Sequence, residues 1–320
     1  MVSSEIVDMH SAASQDIGMA RRKPPALDLA ALLPSWELAL RSERKSAQTI
    51  KSYGDGVRAF LRWCENNHHV PALNRDLVKG FVADLLDAGA EPSTARSRQL
   101  GVRRFSAWLE EEGELDSDPL LGLRAPKLDA KVTASLTDDE LRGLINACTG
   151  REFRDRRDEA IVRLMAETGI RAGELCGLAM TDVDLTRCLI TVRRGKGGKG
   201  RVVPVGAQTA RAIDRYLRAR RTHRLADTGA LWLGDRGKEL NYYGLHKALK
   251  HRAESAGLTN FHPHLLRHTA ASRWLAAGGS EGGLMAVAGW STRDMIDRYT
   301  KATAAERAAA EARGLGLGEL

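Results

Sequence analysis

The chain has 320 residues, 43% of them hydrophobic, and carries 49 Lys and Arg against 41 Asp and Glu, a formal net charge of +8. That is apolar material enough for two domains with cores of their own, and too much for a disordered chain. Four cysteines without paired spacing (Cys64, Cys148, Cys176, Cys188), no apolar leader and no run approaching a bilayer span argue against a disulfide scaffold and a membrane protein; the expected location is the host cytoplasm.

The charge is unevenly spread. Up to Ser135 there are 18 Lys and Arg against 19 Asp and Glu, and from Leu136 onward 31 against 22. The positive excess therefore belongs to the second half, where a polyanionic partner is expected.

Residues 1–26 mix Ser, Ala and Asp with Arg21-Arg22-Lys23-Pro24-Pro25 and show no apolar period, as a disordered tail does; Met9 and Met19 are alternative starts. Residues 27–117 read as a helical bundle. Leu29 to Leu40 has helical spacing, and Ser46 to Asn66 aligns Ile50, Tyr53, Val57, Phe60, Leu61 and Cys64 in one stripe. Asn74 caps a third helix that ends at Gly89. Pro92 opens a fourth with Leu100, Arg104, Phe105, Trp108 and Leu109 on its apolar face. Pattern alone fits an interaction or structural module. Two features favour DNA: Ser46, Thr49 and Lys51 place hydroxyls and a cation at a helix start, and Arg96, Arg98, Arg103 and Arg104 load the fourth helix. Residues 118–134, with two prolines and little period, read as an extended linker.

Thr137 and Glu140 form a capping box that opens a second domain, residues 135–303. A helix ends at Gly169, and Arg171 begins the next with Glu174 three residues on, a pair that alone would be an ordinary surface ion pair. Two β-branched runs, Cys188–Arg193 and Arg201–Val205, flank a tip of Gly, Lys196 and Lys199, which reads as a hairpin; Lys199 and Arg201 are candidate DNA contacts. The tip is no Walker A loop, since G-x-x-x-x-G-K-[ST] is missing. His262, His264 and His268 lack an intervening acid and a fourth ligand, so no metal is expected. His264 and Arg267 stand at i, i+3 on one helix face. A glycine-rich break follows. Ser291 is expected to open a short helix with Asp294 as its capping partner, carrying Met295 and Tyr299 on a packed face, which makes Tyr299 a candidate nucleophile.

The segment from Phe261 to Thr300 resembles the C-terminal signature of the tyrosine recombinase (phage integrase) family: H-x-x-R at His264 and Arg267, Trp290 later, and Tyr299 nine residues after it. TGIRAGEL, around Arg171 and Glu174, resembles the family's first motif, and the GKG-x-K tip its lysine hairpin. The resemblance spans roughly residues 28–305 and implies a mainly α fold. It implies a helical, SAM-like core-binding bundle that clamps one face of duplex DNA. A catalytic domain follows, mostly α with a small antiparallel sheet. Arg171 would contact the scissile phosphate with Glu174 in support, Lys196 would supply the acid, and His268 would pack behind the site as part of L-R-H. Residues 304–320, an Ala/Glu/Arg run, would form a tail that docks on the next protomer.

These side chains suit phosphodiester chemistry. Arg171 and Arg267 can each bind non-bridging oxygens bidentately and stabilise the charge of a pentacoordinate transition state. His264 and Trp290 add donors, and His264 is a candidate to take the phenol proton. Tyr299 attack gives a 3′-phosphotyrosine and a 5′-hydroxyl, and the covalent bond conserves the phosphodiester energy, so no ATP, Mg²⁺ or other cofactor is needed. Many family members have His where Trp290 stands; an indole donates one hydrogen bond but shuttles no proton. The expected partners are double-stranded DNA and further copies, a dimer per site and a tetramer in synapsis, alone or with a related recombinase. Only about 26 residues precede the bundle, which favours a Xer-like two-domain layout. Two alternatives stay open: a type IB topoisomerase, marked by supercoil relaxation by a monomer, and a binding-only regulator, marked by the lack of a covalent adduct.

Overall fold

The computed structural model describes residues 27–128, 134–193, 200–235, 237–300 and 313. They fall into two compact units that divide within the linker.

The first unit contains α1 (Leu29–Ser42), α2 (Ala47–Asn66), α3 (Arg75–Asp87) and α4 (Pro92–Glu111). The first three begin where the sequence supplies an acceptor for free amides. Asp28 Oδ1 accepts from Ala30 and Ala31 at 3.0 and 3.1 Å, Ser46 Oγ from Thr49 at 3.1 Å, and Asn74 Oδ1 from Leu77 at 2.8 Å. Helix α4 instead starts on Pro92, which has no amide hydrogen to satisfy. The core is aromatic: Trp36 stacks on Tyr53 at 6.1 Å and tilts against Phe105 at 5.1 Å, while Phe60 meets Phe81 edge-on at 5.5 Å. Helices α2 and α4 approach backbone to backbone. A Cβ on Gly101 would sit 2.5 Å from the Tyr53 carbonyl, and one on Gly56 2.7 Å from the Arg98 carbonyl.

Two expectations change here. Leu100 is exposed, and Val102 takes the buried place on α4, because the stripe that packs on α2 runs through Ala95, Gln99, Gly101, Val102, Phe105 and Leu109. The segment 118–124 is not an extended linker. Leu120 and Leu123 are buried in the bundle core, Asp118 accepts from the Ser106 hydroxyl and the Leu120 amide, Arg75 Nε donates to the Pro119 carbonyl at 3.2 Å, and Gln99 Nε2 donates to Arg124 at 3.1 Å.

The second unit runs α5 (Asp138–Asn146), α6 (Phe153–Thr168), α7 (Ala172–Cys176), β1 (Val183–Asp184), β2 (Leu189–Val192), β3 (Arg201–Pro204), α8 (Ala207–Arg220), α9 (Tyr242–Ser255), α10 (Pro263–Ala276), α11 (Glu281–Ala288) and α12 (Asp294–Thr300). The fold is mainly α with one small antiparallel sheet of order β1-β2-β3, registered Ile190 to Val203 and Val192 to Arg201. Thr137 and Glu140 close the reciprocal capping box on α5, the Thr137 amide donating to Glu140 at 2.8 Å and the Glu140 amide to Thr137 Oγ1 at 3.2 Å. Helix α6 is the axis of the main core, burying Ile161, Val162, Leu164 and Met165 against the sheet, α8, α9 and the start of α10. A second, smaller cluster joins α10, α11 and α12 through Ala271, Leu275, Leu284, Ala288, Trp290, Ile296 and Tyr299. Helix α12 opens at Asp294 rather than directly behind Ser291, the Ile296 and Asp297 amides donating to the Arg293 carbonyl at 2.7 and 3.0 Å; the Asp294 side chain of the expected box lies outside what the structure describes.

Candidate active site

Gly169 ends α6 in the left-handed region (φ 62°), which turns the chain so that Arg171 stands at the N-terminus of α7. Its guanidinium donates to Glu174 Oε1 at 2.8 Å and to the Gly289 carbonyl at 3.0 Å, and its amide donates to Glu174 Oε2 at 3.1 Å. The Glu174 side chain, 5% exposed, receives a second arginine: Arg201 grips both oxygens at 3.1 and 2.8 Å and donates from Nε to the Val287 carbonyl at 2.8 Å. Burial pushes the Glu174 carboxyl up, but the bonds from Arg201 and Arg171 outweigh it and hold the group below its ordinary value.

Arg267 lies on α10 and is 2% exposed. One nitrogen donates to the Gly169 carbonyl, and the guanidinium carbon lies 5.1 Å from the centre of the Trp290 ring, a cation–π contact. Burial first, and the like charge of Arg171 next, depress its pKa to about 10. Among the described residues its other terminal nitrogen is buried without an acceptor, as is the Trp290 indole nitrogen. Trp290 follows Gly289, which ends α11 at φ 65°, and stacks on Tyr299 at 5.6 Å with an interplanar angle of 14°. The buried Tyr299 hydroxyl meets His268 Nδ1, and His268 packs edge-on against His264 at 4.7 Å.

Arg171, Glu174, His264, Arg267, His268, Trp290 and Tyr299 are thus linked through one set of contacts, whereas Lys196 and Lys199 lie outside the described residues. Two placements differ from expectation. The Arg201 guanidinium turns inward, onto both Glu174 oxygens and the Val287 carbonyl, and its side chain is 10% exposed. The histidine on the phenol is His268, while His264 is exposed. Strand alternation was the signal for Arg201: it shares a face with the buried Val203. The helix carbonyls of Val287 and Gly289 left no trace in side-chain identity. Among the described residues no group of three or more His, Cys, Asp or Glu could hold a metal ion.

In the bundle, Ser46 Oγ and Thr49 Oγ1 bond each other at 2.8 Å and Lys51 pairs with Asp55 at 2.6 Å, all on the exposed start of α2. Arg96 and Arg104 are exposed on α4, and Arg98 and Arg103 are half-buried. A groove between α2 and α4 is lined by Ser52, Ser93, Thr94, Ser97 and Arg98, together with Asp55.

Residues 134–306 match the phage integrase family, and residues 33–113 match the phage integrase N-terminal SAM-like domain. The chain is 35% identical over 272 residues to tyrosine recombinase XerC of Mycobacterium bovis, covering 82% of this chain and 90% of that protein. It is 30% identical over 259 residues to tyrosine recombinase XerC of Corynebacterium glutamicum, covering 80% and 82%. Among solved structures, XerH site-specific recombinase bound to a palindromic difH substrate is similar with a TM-score of 0.69 at 16% identity, over 88% of this chain and 84% of that one. A lambda integrase dimer bound to a COC′ core site gives a TM-score of 0.65 at 17% identity, over 83% and 96%; at such identities the likeness is one of fold. By sequence match and by site together, the chain belongs to the phage integrase family of tyrosine recombinases, site-specific enzymes that cut and rejoin DNA.

Proposed function

We propose that Tyr299 is the nucleophile of this recombinase and Arg171, Arg267 and Trp290 the donors that receive the scissile phosphate. The observation that carries the reading is the pair of buried donors without acceptors, on Arg267 and Trp290, beside the phenol. An unsatisfied buried donor costs about 1–3 kcal/mol. A non-bridging phosphate oxygen is the acceptor that would relieve it, and the relief is greatest when negative charge builds up in the transition state.

On this reading the phenolate oxygen forms a bond to phosphorus as the bond to the 5′ oxygen breaks. The phenol proton passes to His268 Nδ1, the atom already on it, and the leaving oxygen takes a proton from Lys196. His264 remains at the exposed edge as a further donor. The first unit would clamp duplex DNA through the α2 and α4 surfaces, with Ser46, Thr49, Lys51, Arg96, Arg98, Arg103 and Arg104 on phosphates and the second unit on the cleavage site. Lambda integrase is described as a dimer on a core site and as a tetramer on a Holliday junction, which supports a dimer per site and a tetramer in synapsis here, alone or with a related recombinase. Residues 304–320 would dock on the neighbouring protomer, and truncation at Ala302 should weaken assembly while leaving single-site cleavage.

The test is a nicked suicide duplex carrying a site selected by the protein from a random library. Wild type should form a covalent adduct, and Tyr299→Phe should keep the affinity without one; adduct persisting in Tyr299→Phe would overturn the assignment. A 5′-thiol leaving group should rescue Lys196→Ala, and failure to do so would remove Lys196 from its role.

A further inference from the structure

We infer that Arg201 is a positioning residue of strand cleavage: it holds Glu174 and the end of α11 together so that Arg171 and Trp290 address one phosphate. This rests on the assignment of Arg171 and Trp290 as phosphate donors. The contacts form a closed ring. Arg201 binds both oxygens of Glu174, Glu174 binds Arg171, Arg171 binds the Gly289 carbonyl, and Val287, two residues before Gly289, accepts from Arg201 Nε. Three chain segments (β3, the start of α7 and the end of α11) are fixed to one another by two guanidiniums around one carboxylate.

Each link has a geometric reason. Arg201 opens β3 opposite Val192, directly after the hairpin tip, so its backbone is set by the sheet before its side chain reaches inward. Only a planar fork can meet both carboxylate oxygens and a separate carbonyl at once; an ammonium offers a single point of charge. Gly289 leaves room for that fork, since a Cβ there would lie 2.8 Å from Arg201 Nη1, and its φ of 65° disfavours other residues in any case. Trp290 is the next residue, so the carbonyl that Arg171 grips also sets where the indole begins. Without Arg201, the Glu174 carboxylate has Arg171 as its remaining guanidinium partner among the described residues, and the end of α11 loses its bond through the Val287 carbonyl. The phosphate would then be met by donors at the wrong spacing, while the surface offered to DNA is unaltered.

The experiment compares wild type, Arg201→Lys and Arg201→Gln on the selected nicked duplex, made with a phosphodiester or with a neutral methylphosphonate at the cleavage position. Adduct formation on the phosphodiester should slow by about 10–100-fold in Arg201→Gln, as removal of a group supporting a site residue does, with duplex affinity retained. Arg201→Lys should recover little, because the fork is lost. On the methylphosphonate the deficit should shrink, since the missing oxygen charge no longer needs an aligned Arg171. An equal deficit on both substrates, or full activity in Arg201→Lys, would overturn the proposal. A wild type without adduct would sink the assignment of the site instead. The positioning is then decided by a crystal structure of Arg201→Gln: an Arg171 guanidinium moved off the Gly289 carbonyl supports it, and one still seated there refutes it.

Discussion

Arg267→Met separates the needs of the reaction from those of the fold. In the free protein Arg267 is 2% exposed, with one nitrogen on the Gly169 carbonyl and another without a partner among the described residues. A pKa depressed to about 10 corresponds to roughly 3 kcal/mol against the charged form, at about 1.4 kcal/mol per tenfold in proton affinity. Methionine fills much of the same volume without the charge. It forfeits the Gly169 bond and the contact over Trp290, together about 2 kcal/mol. The balance is about 1 kcal/mol in favour of the variant, or roughly 2–4 °C in the melting temperature of a unit this size, where truncating an ordinary core residue would cost several kcal/mol. Calorimetry with and without sulfate is the assay. At 100 times its dissociation constant the anion should stabilise wild type by about 2.7 kcal/mol and the variant far less, while the variant forms no adduct. The sign with pH is fixed as well. The charging penalty is in force below about 10 and is relieved as pH rises through that value, because the folded state then gives up its proton before the unfolded chain does. A variant melting well below wild type, or an equal lift of both by sulfate, would refute the reasoning.

Glu174 titrates in the opposite sense. Its carboxyl is held below the ordinary value of 4.5, so its stabilisation is complete above that pH and is lost as pH falls through the lowered folded value. Glu174→Gln should therefore be less stable at neutral pH and show a shallower acid limb in a denaturation series; parallel limbs would count against the bridge. Gly101→Ala should destabilise the bundle by about 1–3 kcal/mol, because its Cβ would press on the Tyr53 carbonyl. The catalytic unit, melted in the same scan, should keep its transition.

Much of this was legible in the sequence because the information is local. Arg171 and Glu174, or His264 and Arg267, stand within one helical turn of each other, and Trp290 and Tyr299 lie on either side of a short connection, so spacing alone places them. Caps are equally local, which is why Asp28, Ser46, Asn74 and Thr137 mark helix starts. The role of Arg201 depends on a carboxylate 27 positions away, a distance at which residue type carries no register. The same holds for Leu120 and Leu123: their proline-bearing segment has no period, yet both find the gap between helices that only the assembled bundle creates. Which histidine contacts the phenol is not local information either. His264 and His268 are one helical turn apart, and which of them meets the phenol is decided by the placement of α12, not by α10.

The contact between α2 and α4 through Gly56 and Gly101 has an evolutionary corollary. Where two helices touch main chain to main chain, their closeness is set by the missing side chains at the contact and by the buried core, not by the outward-facing residues. The outward hydroxyls and arginines on these helices can then be exchanged freely, and a new target sequence acquired, without any re-tuning of the scaffold that presents them. Drift in target preference among such chains should therefore accumulate on those outer positions while the two glycines stay fixed.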